Sequence, residues 1–341
     1  MHPPNWWQKE NGSLLPKYLA PLGHLYGQIV SSRFRYTKPY KCKHPILCVG
    51  NFTLGGTGKT PISIKLMELL TKEGWTPSFL SRGYGGSQKG PLLVDQNDHS
   101  ASEVGDEPLL LAEHGPTVIA KTRREGAWLL EQRKTDLIIM DDGFQNPTLA
   151  KTLSILSLDS AVGLGNERIF PAGPLRAPLN FQLAAADAII ITGSSKNKFK
   201  ETLRTKHNFN KPIFSGEVKP NADIDWVREK PILAYAGIAR PEKLFKSLEQ
   251  AGGQVIRRTP FPDHYQFKAK DAEQLIKLAI KDDLQLITTE KDMVRINAAN
   301  HHQLRALKRM SQAFPVSFEF DHEDEKNLLQ LLKKQLQQAQ E

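Results

Sequence analysis

At 341 residues, 39% hydrophobic and 24% charged, the chain is long enough for two ordinary globular cores and too apolar to remain disordered. A net charge of +9 draws anions of any kind, whether nucleotides, nucleic acid or an acidic membrane surface, without choosing among them. Cys42 and Cys48 are the only cysteines, which excludes a disulfide framework or a cysteine-built zinc site, and no apolar run reaches the roughly 18–20 residues that span a bilayer.

Residues 1–44 differ from the rest. Pro3, Pro4 and Asn5 interrupt any signal-peptide layout, so the protein is expected to stay in the cytosol. After Trp6 and Trp7, the apolar residues Leu15, Tyr18, Leu19, Leu22, Leu25, Tyr26, Ile29 and Val30 recur at helical spacing. Arg33, Arg35, Lys38, Lys41 and Lys43 follow, and no Asp or Glu occurs from Asn11 through Met67. An amphipathic helix with aromatic residues and a basic flank suits the surface of an anionic membrane. The alternative is a helix packed on its own domain.

Pro45 to Val49 is an apolar run of strand length. The chain then turns through Gly50-Asn51-Phe52-Thr53-Leu54-Gly55-Gly56-Thr57-Gly58-Lys59-Thr60-Pro61 into a helical pattern carrying Ile62, Leu66, Leu69 and Leu70. Strand, glycine loop and helix in that order are the context of a phosphate-binding loop. Backbone N–H groups from Thr53 to Thr60 would converge on phosphate oxygens at the helix N-terminus. Lys59 would reach the β- and γ-phosphates, and the Thr60 hydroxyl would ligate Mg²⁺. Thr53 stands where the usual pattern has glycine.

To about Asn221 strand and helix patterns alternate, which predicts a parallel α/β sheet. Strands are expected at Pro77–Ser81, Thr117–Ala120, Leu137–Met140, Leu153–Leu158 and Ala188–Thr192, with helices at Pro108–Glu113 and Arg123–Gln132. Lys196–Lys211 reads as a surface loop or short helix. Near Ile224–Arg228 the chain is expected to cross into a smaller α/β unit. Its strands are expected at Ile232–Gly237, Gln254–Arg258, Leu286–Thr289 and Pro315–Phe320, and its helices at Pro241–Gln250, Asp271–Lys281 and Asp324–Gln338.

Leu137 to Met140 ends in Asp141-Asp142-Gly143-Phe144-Gln145. Adjacent carboxylates at a strand end beside a phosphate loop suit a Mg²⁺ site; otherwise one caps the turn and the other is solvated. Gly105-Asp106-Glu107-Pro108 reads first as a capped helix start. Its functional alternative has Asp106 as general base and Glu107 near the metal. Pro262-Asp263-His264-Tyr265 offers a histidine able to take a proton, although a capping or surface histidine is the simpler reading. Thr289-Glu290-Lys291-Asp292 is compatible with a helix cap and is not the Asn-Lys-x-Asp pattern that reads guanine, which favours ATP over GTP. Ser81-Arg82-Gly83-Tyr84-Gly85-Gly86 and Pro171-Ala172-Gly173-Pro174-Leu175-Arg176 read as flexible loops whose arginines, Arg82 and Arg176, either clamp phosphates or are solvated.

Together, in this order along most of the chain, these motifs resemble the tetraacyldisaccharide 4′-kinase (lipid A 4′-kinase) family, in which the threonine at position 53 is normal. The resemblance implies transfer of the ATP γ-phosphoryl group to the 4′-hydroxyl of a tetraacylated glucosamine disaccharide 1-phosphate, for lipopolysaccharide synthesis. It also implies peripheral attachment at the cytosolic face of the inner membrane through the N-terminal helix. It implies two α/β domains with the nucleotide in the cleft, which agrees with the break expected near Ile224 and gives a membrane-facing segment at 1–44, a phosphate-loop kinase domain at 45–223 and a smaller C-terminal α/β domain at 224–341. Asp106 matches the catalytic base. Asp142 and His264 match a supporting pair, the histidine arriving from the second domain. Thr60, Glu107 and Asp141 are expected around Mg²⁺, with Gln145, Arg176 and Arg82 toward the substrates. The rival reading is a phosphate-loop ATPase switch that drives partner exchange. Nucleic-acid binding rests on net charge alone, with no aromatic-interleaved basic motif, and is not expected.

Overall fold

The structure is a computed structural model that describes residues 4–7, 14–55, 58–193, 195–221, 223–296 and 301–339. Eight strands form in succession: β1 (Ile46–Asn51), β2 (Pro77–Ser81), β3 (Leu92–Leu93), β4 (Thr117–Ile119), β5 (Leu137–Asp141), β6 (Leu153–Asp159), β7 (Ala188–Thr192) and β8 (Ile213–Pro220). The chain then builds a second sheet from β9 (Ile232–Ala236), β10 (Val255–Pro260), β11 (Gln285–Thr289) and β12 (Ser311–Phe314), before β13 (Val316–Phe320). The large sheet has the order β13-β8-β7-β6-β1-β5-β2-β4-β3 and the small one β10-β9-β11-β12. Pairings are parallel except those of β3 with β4 and β13 with β8.

The near-continuous apolar runs of β1 and β5 follow from burial on both faces of a parallel sheet. Alternate residues of β1 serve opposite layers. Ile46 and Cys48 pack with Leu80, Ile138 and Leu130, whereas Leu47 and Val49 pack with Ile62, Leu66 and Leu70 of helix α2 (Lys59–Lys72). The second layer is completed by Leu328, Leu332 and Leu336, four residues apart on the closing helix His322–Gln338. Truncating fully buried Leu332 to alanine should therefore cost about 2–5 kcal/mol.

That closing segment departs from expectation. Val316–Phe320 and the last helix belong to the large sheet, not to the smaller unit, so the chain returns to its first core after building the second. The reason lies at Pro315, the single residue between β12 and β13. It breaks one apolar stretch into two strands in different sheets, and side-chain alternation alone does not say which sheet a strand joins. Strands β8 and β12 and the helix His302–Met310 also lie outside the expected set. Lys196–Thr205 is a helix, and the remaining expected elements appear with ends unchanged or moved by at most two residues.

Helix α1 runs from Leu15 to Tyr36. It touches the body through its small residues: Gly23 lies against the Ile169 carbonyl, Gly27 against Ile169 and Pro178, and Pro16 is buried too. Tyr26 and Phe34 also lean on Phe170 and Phe181, whereas the other large side chains Tyr18, Leu22, Leu25 and Ile29 point away, 74%, 55%, 55% and 52% exposed.

Candidate active site

Strand β1 lies between β5 and β6, so their carboxyl ends meet at one edge, and Val49 stands in register with Asp141. Gly58 closes the loop after β1 at φ 82°, in the left-handed region, directly before α2. Lys59 and Thr60 open that helix and are buried. The loop is braced from inside. Asn51 Nδ2 donates to the carbonyls of Thr53 (2.7 Å) and Gly55 (3.2 Å), and Gln145 Nε2 donates to the Asn51 carbonyl at 3.1 Å. Arg176 Nε donates to the Thr53 carbonyl at 3.2 Å, and the Leu54 N–H to the Pro174 carbonyl at 2.8 Å. Thr53 bridges to Leu175 and is not among the described residues with positive φ, so this position does not call for glycine. The Pro171–Arg176 stretch, expected as a flexible loop, is thus a brace. Gly56 and Thr57 lie outside the described residues.

Asp141 is buried at the end of β5. Ser63 Oγ donates to its Oδ1 at 2.9 Å, while Oδ2 is buried without a protein partner. Burial first, then the charge of Glu107, pushes this carboxyl up to about 6 against the pull of Lys59. Asp142 adopts φ 49°, in the left-handed region, as the chain leaves β5. It meets Arg176 Nη1 at 2.8 Å and Lys59 Nζ at 3.8 Å. Burial would raise Asp142, but those two cations outweigh it and hold the group below the usual carboxylate range.

Asp106 begins the helix Asp106–Ala112, after Gly105 at φ 93°, where a Cβ would meet the Tyr84 carbonyl at 2.5 Å. Its partners come from the small sheet: His264 Nδ1 stands 3.3 Å from Oδ2, and Arg295 forks onto the same oxygen. Burial opposes ionisation, yet the His264 hydrogen bond and the charges of Arg295 and Lys291 hold Asp106 well below the usual range. His264 is pushed above its ordinary value, chiefly by that hydrogen bond against a burial penalty. Glu107 pairs with Lys291 Nζ at 2.7 Å, whose charge keeps it low.

The expected pairing of Asp142 with His264 is corrected here. His264 joins Asp106, because the small sheet docks over the helix carrying Asp106, while Asp142 is drawn to Lys59 and Arg176. Arg82 is exposed, and its charge bears on buried Arg123; from the same loop it is Tyr84 that reaches the site, its ring centroid 5.8 Å from that of His264 in an edge-on arrangement. Nothing local singles out Arg295. The only signal is its position four residues beyond Lys291 on the helix Glu290–Arg295, which puts both cations on one face.

A carboxylate–imidazole pair beside a lysine-bearing phosphate loop can receive a proton while a phosphoryl group moves. The buried, unpartnered Asp141 oxygen, raised by a like charge, is a fit for a divalent cation, which would relieve both the missing partner and the repulsion. Among the described residues no cluster of three or more His, Cys, Asp or Glu forms a cage. Mg²⁺ needs none where substrate phosphates complete its shell.

The tetraacyldisaccharide-1-P 4′-kinase family model matches residues 15–337. A tetraacyldisaccharide 4′-kinase of Methylorubrum extorquens is 42% identical over 315 residues, spanning 92% of this chain and 95% of the relative. That of Rhodopseudomonas palustris (strain HaA2) is 40% identical over 342 residues, spanning 99% of this chain and 98% of its own. Among solved structures, LpxK from Aquifex aeolicus in complex with ATP superposes with a TM-score of 0.74 at 27% identity, over 94% of this chain and 99% of that one. The chain belongs to the tetraacyldisaccharide-1-P 4′-kinase family.

Proposed function

We propose how this chain does what its family does, the ATP-dependent phosphorylation of the 4′-hydroxyl of tetraacyldisaccharide 1-phosphate in lipid A biosynthesis. The loop from Thr53 to Thr60 cradles the ATP phosphates, with Lys59 on the β- and γ-phosphates. Asp106 and His264 receive the proton of the 4′-hydroxyl. The freed oxygen bonds to the γ-phosphorus, the bond to the bridging oxygen breaks, and ADP leaves. Asp106 is held ionised by its cations, so His264 is the more basic partner and carries the proton. Asp142 positions Lys59 and Arg176, and Gln145 steadies the loop through Asn51. Arg82 remains the candidate for the acceptor's phosphate.

Mg²⁺ would be held by Asp141, by the Thr60 hydroxyl and from the side of Glu107, and it supplies neutralisation of charge on the phosphates. The residues divide as 45–223 for the nucleotide and 224–341 for the histidine-bearing part, with β13 and the closing helix packed back on the first. The N-terminal segment, 1–44, seats the enzyme peripherally on the cytoplasmic face of the inner membrane. What supports this is the outward row of Tyr18, Leu22, Leu25 and Ile29 and the basic residues that follow. No described helix is long and apolar enough to cross a membrane.

The observation that carries the reading is the meeting of Asp106 with His264 next to Glu107, a group within reach of the Lys59 charge. The test is ADP release from ATP and Mg²⁺ in detergent micelles, with and without the lipid disaccharide. Rapid turnover only with acceptor, with phosphate at the 4′ position, is expected. Equal ATP consumption without it would instead favour the ATPase switch.

A further inference from the structure

The small sheet gives Asp106 more than a histidine. The Arg295 side chain is 1% exposed, and its guanidinium is spread over oxygens from both sheets. Nε donates to Asp106 Oδ2 at 2.6 Å and Nη2 reaches the same atom, while Nη1 donates to Asp292 Oδ1 at 2.8 Å and to the Gly237 carbonyl at 2.5 Å. Asp292 is itself fastened, accepting from the Thr289 hydroxyl at 2.6 Å and from the Gly237 N–H at 3.1 Å. The orientation of the fork is therefore set within the small sheet. One turn earlier on the same helix, Lys291 holds Glu107.

A buried ion pair is weak evidence for a stabilising role, since apolar residues of similar volume often do as well. What distinguishes this one is its target. Arg295 Nε, Arg295 Nη2 and His264 Nδ1 converge on a single oxygen. A carboxylate gripped through one oxygen loses rotation about its own axis, so the imidazole that meets the same oxygen is held in a fixed direction, which is the geometry that proton transfer rewards.

We propose that Arg295 is a positioning residue for the proton transfer: it fixes the Asp106 carboxylate against His264, and it makes that alignment conditional on the small sheet being seated on the large one. The inference rests on the reading of Asp106 and His264 as the proton-accepting pair. A lysine cannot replace the fork, because one ammonium cannot hold Asp106, Asp292 and the Gly237 carbonyl in the same plane.

The test is a double-mutant cycle of Arg295→Met and Asp106→Asn on the full chain, with kcat, the KM for ATP and the melting temperature measured for each. Arg295→Met should lower kcat by about 10²-fold and Arg295→Lys by about 10-fold, with the KM for ATP within about 3-fold of wild type. In the Asp106→Asn background the Arg295 change should remove no more than about 3-fold further, because its effect runs through the group already lost. Losses that multiply in the double variant overturn the proposal, as does a wild-type kcat in both Arg295 variants. Near-normal turnover of Asp106→Asn alone removes Asp106 from the proton-accepting pair and the Arg295 proposal with it. A crippled Asp106→Asn with multiplying losses removes only the latter. Should Arg295→Met not fold, Arg295→Lys in the same two backgrounds is scored by the same criterion.

Discussion

Asp106 and Asp141 are two buried aspartates of one site whose surroundings drive them in opposite directions. Asp141 sits at the edge of the large sheet with a hydroxyl, a like charge and one bare oxygen, and it is raised to about 6. Asp106 sits where the sheets meet, supplied with an arginine, a histidine and a nearby lysine, and it is held well below the usual range. Groups of one chemical type pushed apart in this way take different work. The first is short of positive charge and suited to accepting a cation. The second has its countercharges built in and is suited to orienting a neighbouring base.

The most severe test of that contrast is Asp106→Ala. It should lower turnover by ~10²–10⁴ while ATP binding, followed by calorimetry, is largely kept. Next, Asp141→Asn should lower Mg²⁺-supported turnover by about 10²-fold. Its effect on stability has the opposite sign. A carboxyl raised above its unfolded value of about 3.9 destabilises the fold once ionised, so without metal the asparagine variant should melt higher than wild type at pH 7, and the gain should fade toward about pH 4. Titration of Mg²⁺ should show affinity falling as pH drops below about 6, where Asp141 regains its proton.

His264 should set the acid limb of kcat/KM. Its proton is held more tightly than the ordinary value of about 6.5, so the rate should rise with pH through a midpoint above that, and His264→Gln should abolish the limb along with roughly 10–10²-fold of activity. The stability it contributes is full below about 6.5 and lost as pH rises through the raised midpoint, so the melting difference from His264→Gln should shrink toward alkaline pH. The smallest effect on chemistry belongs to the outward face of helix α1. Replacing Leu22, Leu25 and Ile29 with serine should leave both aspartates untouched and kcat within about 2-fold in micelles. Binding to anionic vesicles in a flotation assay should be lost, and unchanged binding would end the membrane-docking proposal.

The Asp141 half of the site was readable along the chain because its parts are consecutive. A strand, a glycine-turned loop and a helix bring Lys59 and Thr60 together within a few residues, and β5 ends in its aspartates by the same local logic. The doubly buried sheet was readable too, since β1, β5 and β7 announce themselves as short apolar runs. Arg176 stands out in the sequence as a phosphate-clamp candidate but not as a brace, because the hydrogen bond it gives to the Thr53 carbonyl joins positions far apart in sequence. The return of β13 to the large sheet was not readable, because side-chain alternation in Val316–Phe320 does not say which sheet edge the strand joins after Pro315.

Sequence alone therefore determined the phosphate loop, the parallel sheet around it and the family, since each is written in contiguous residues and in the order of motifs. Only the tertiary structure decided that His264 meets Asp106 and not Asp142, that Lys291 and Arg295 reach Glu107 and Asp106, and that Tyr18, Leu22, Leu25 and Ile29 of α1 stay exposed. The physical reason is distance along the chain. A helix or a turn is selected by neighbours a few residues away, whereas the countercharge of a buried carboxylate arrives with whichever surface packs against it.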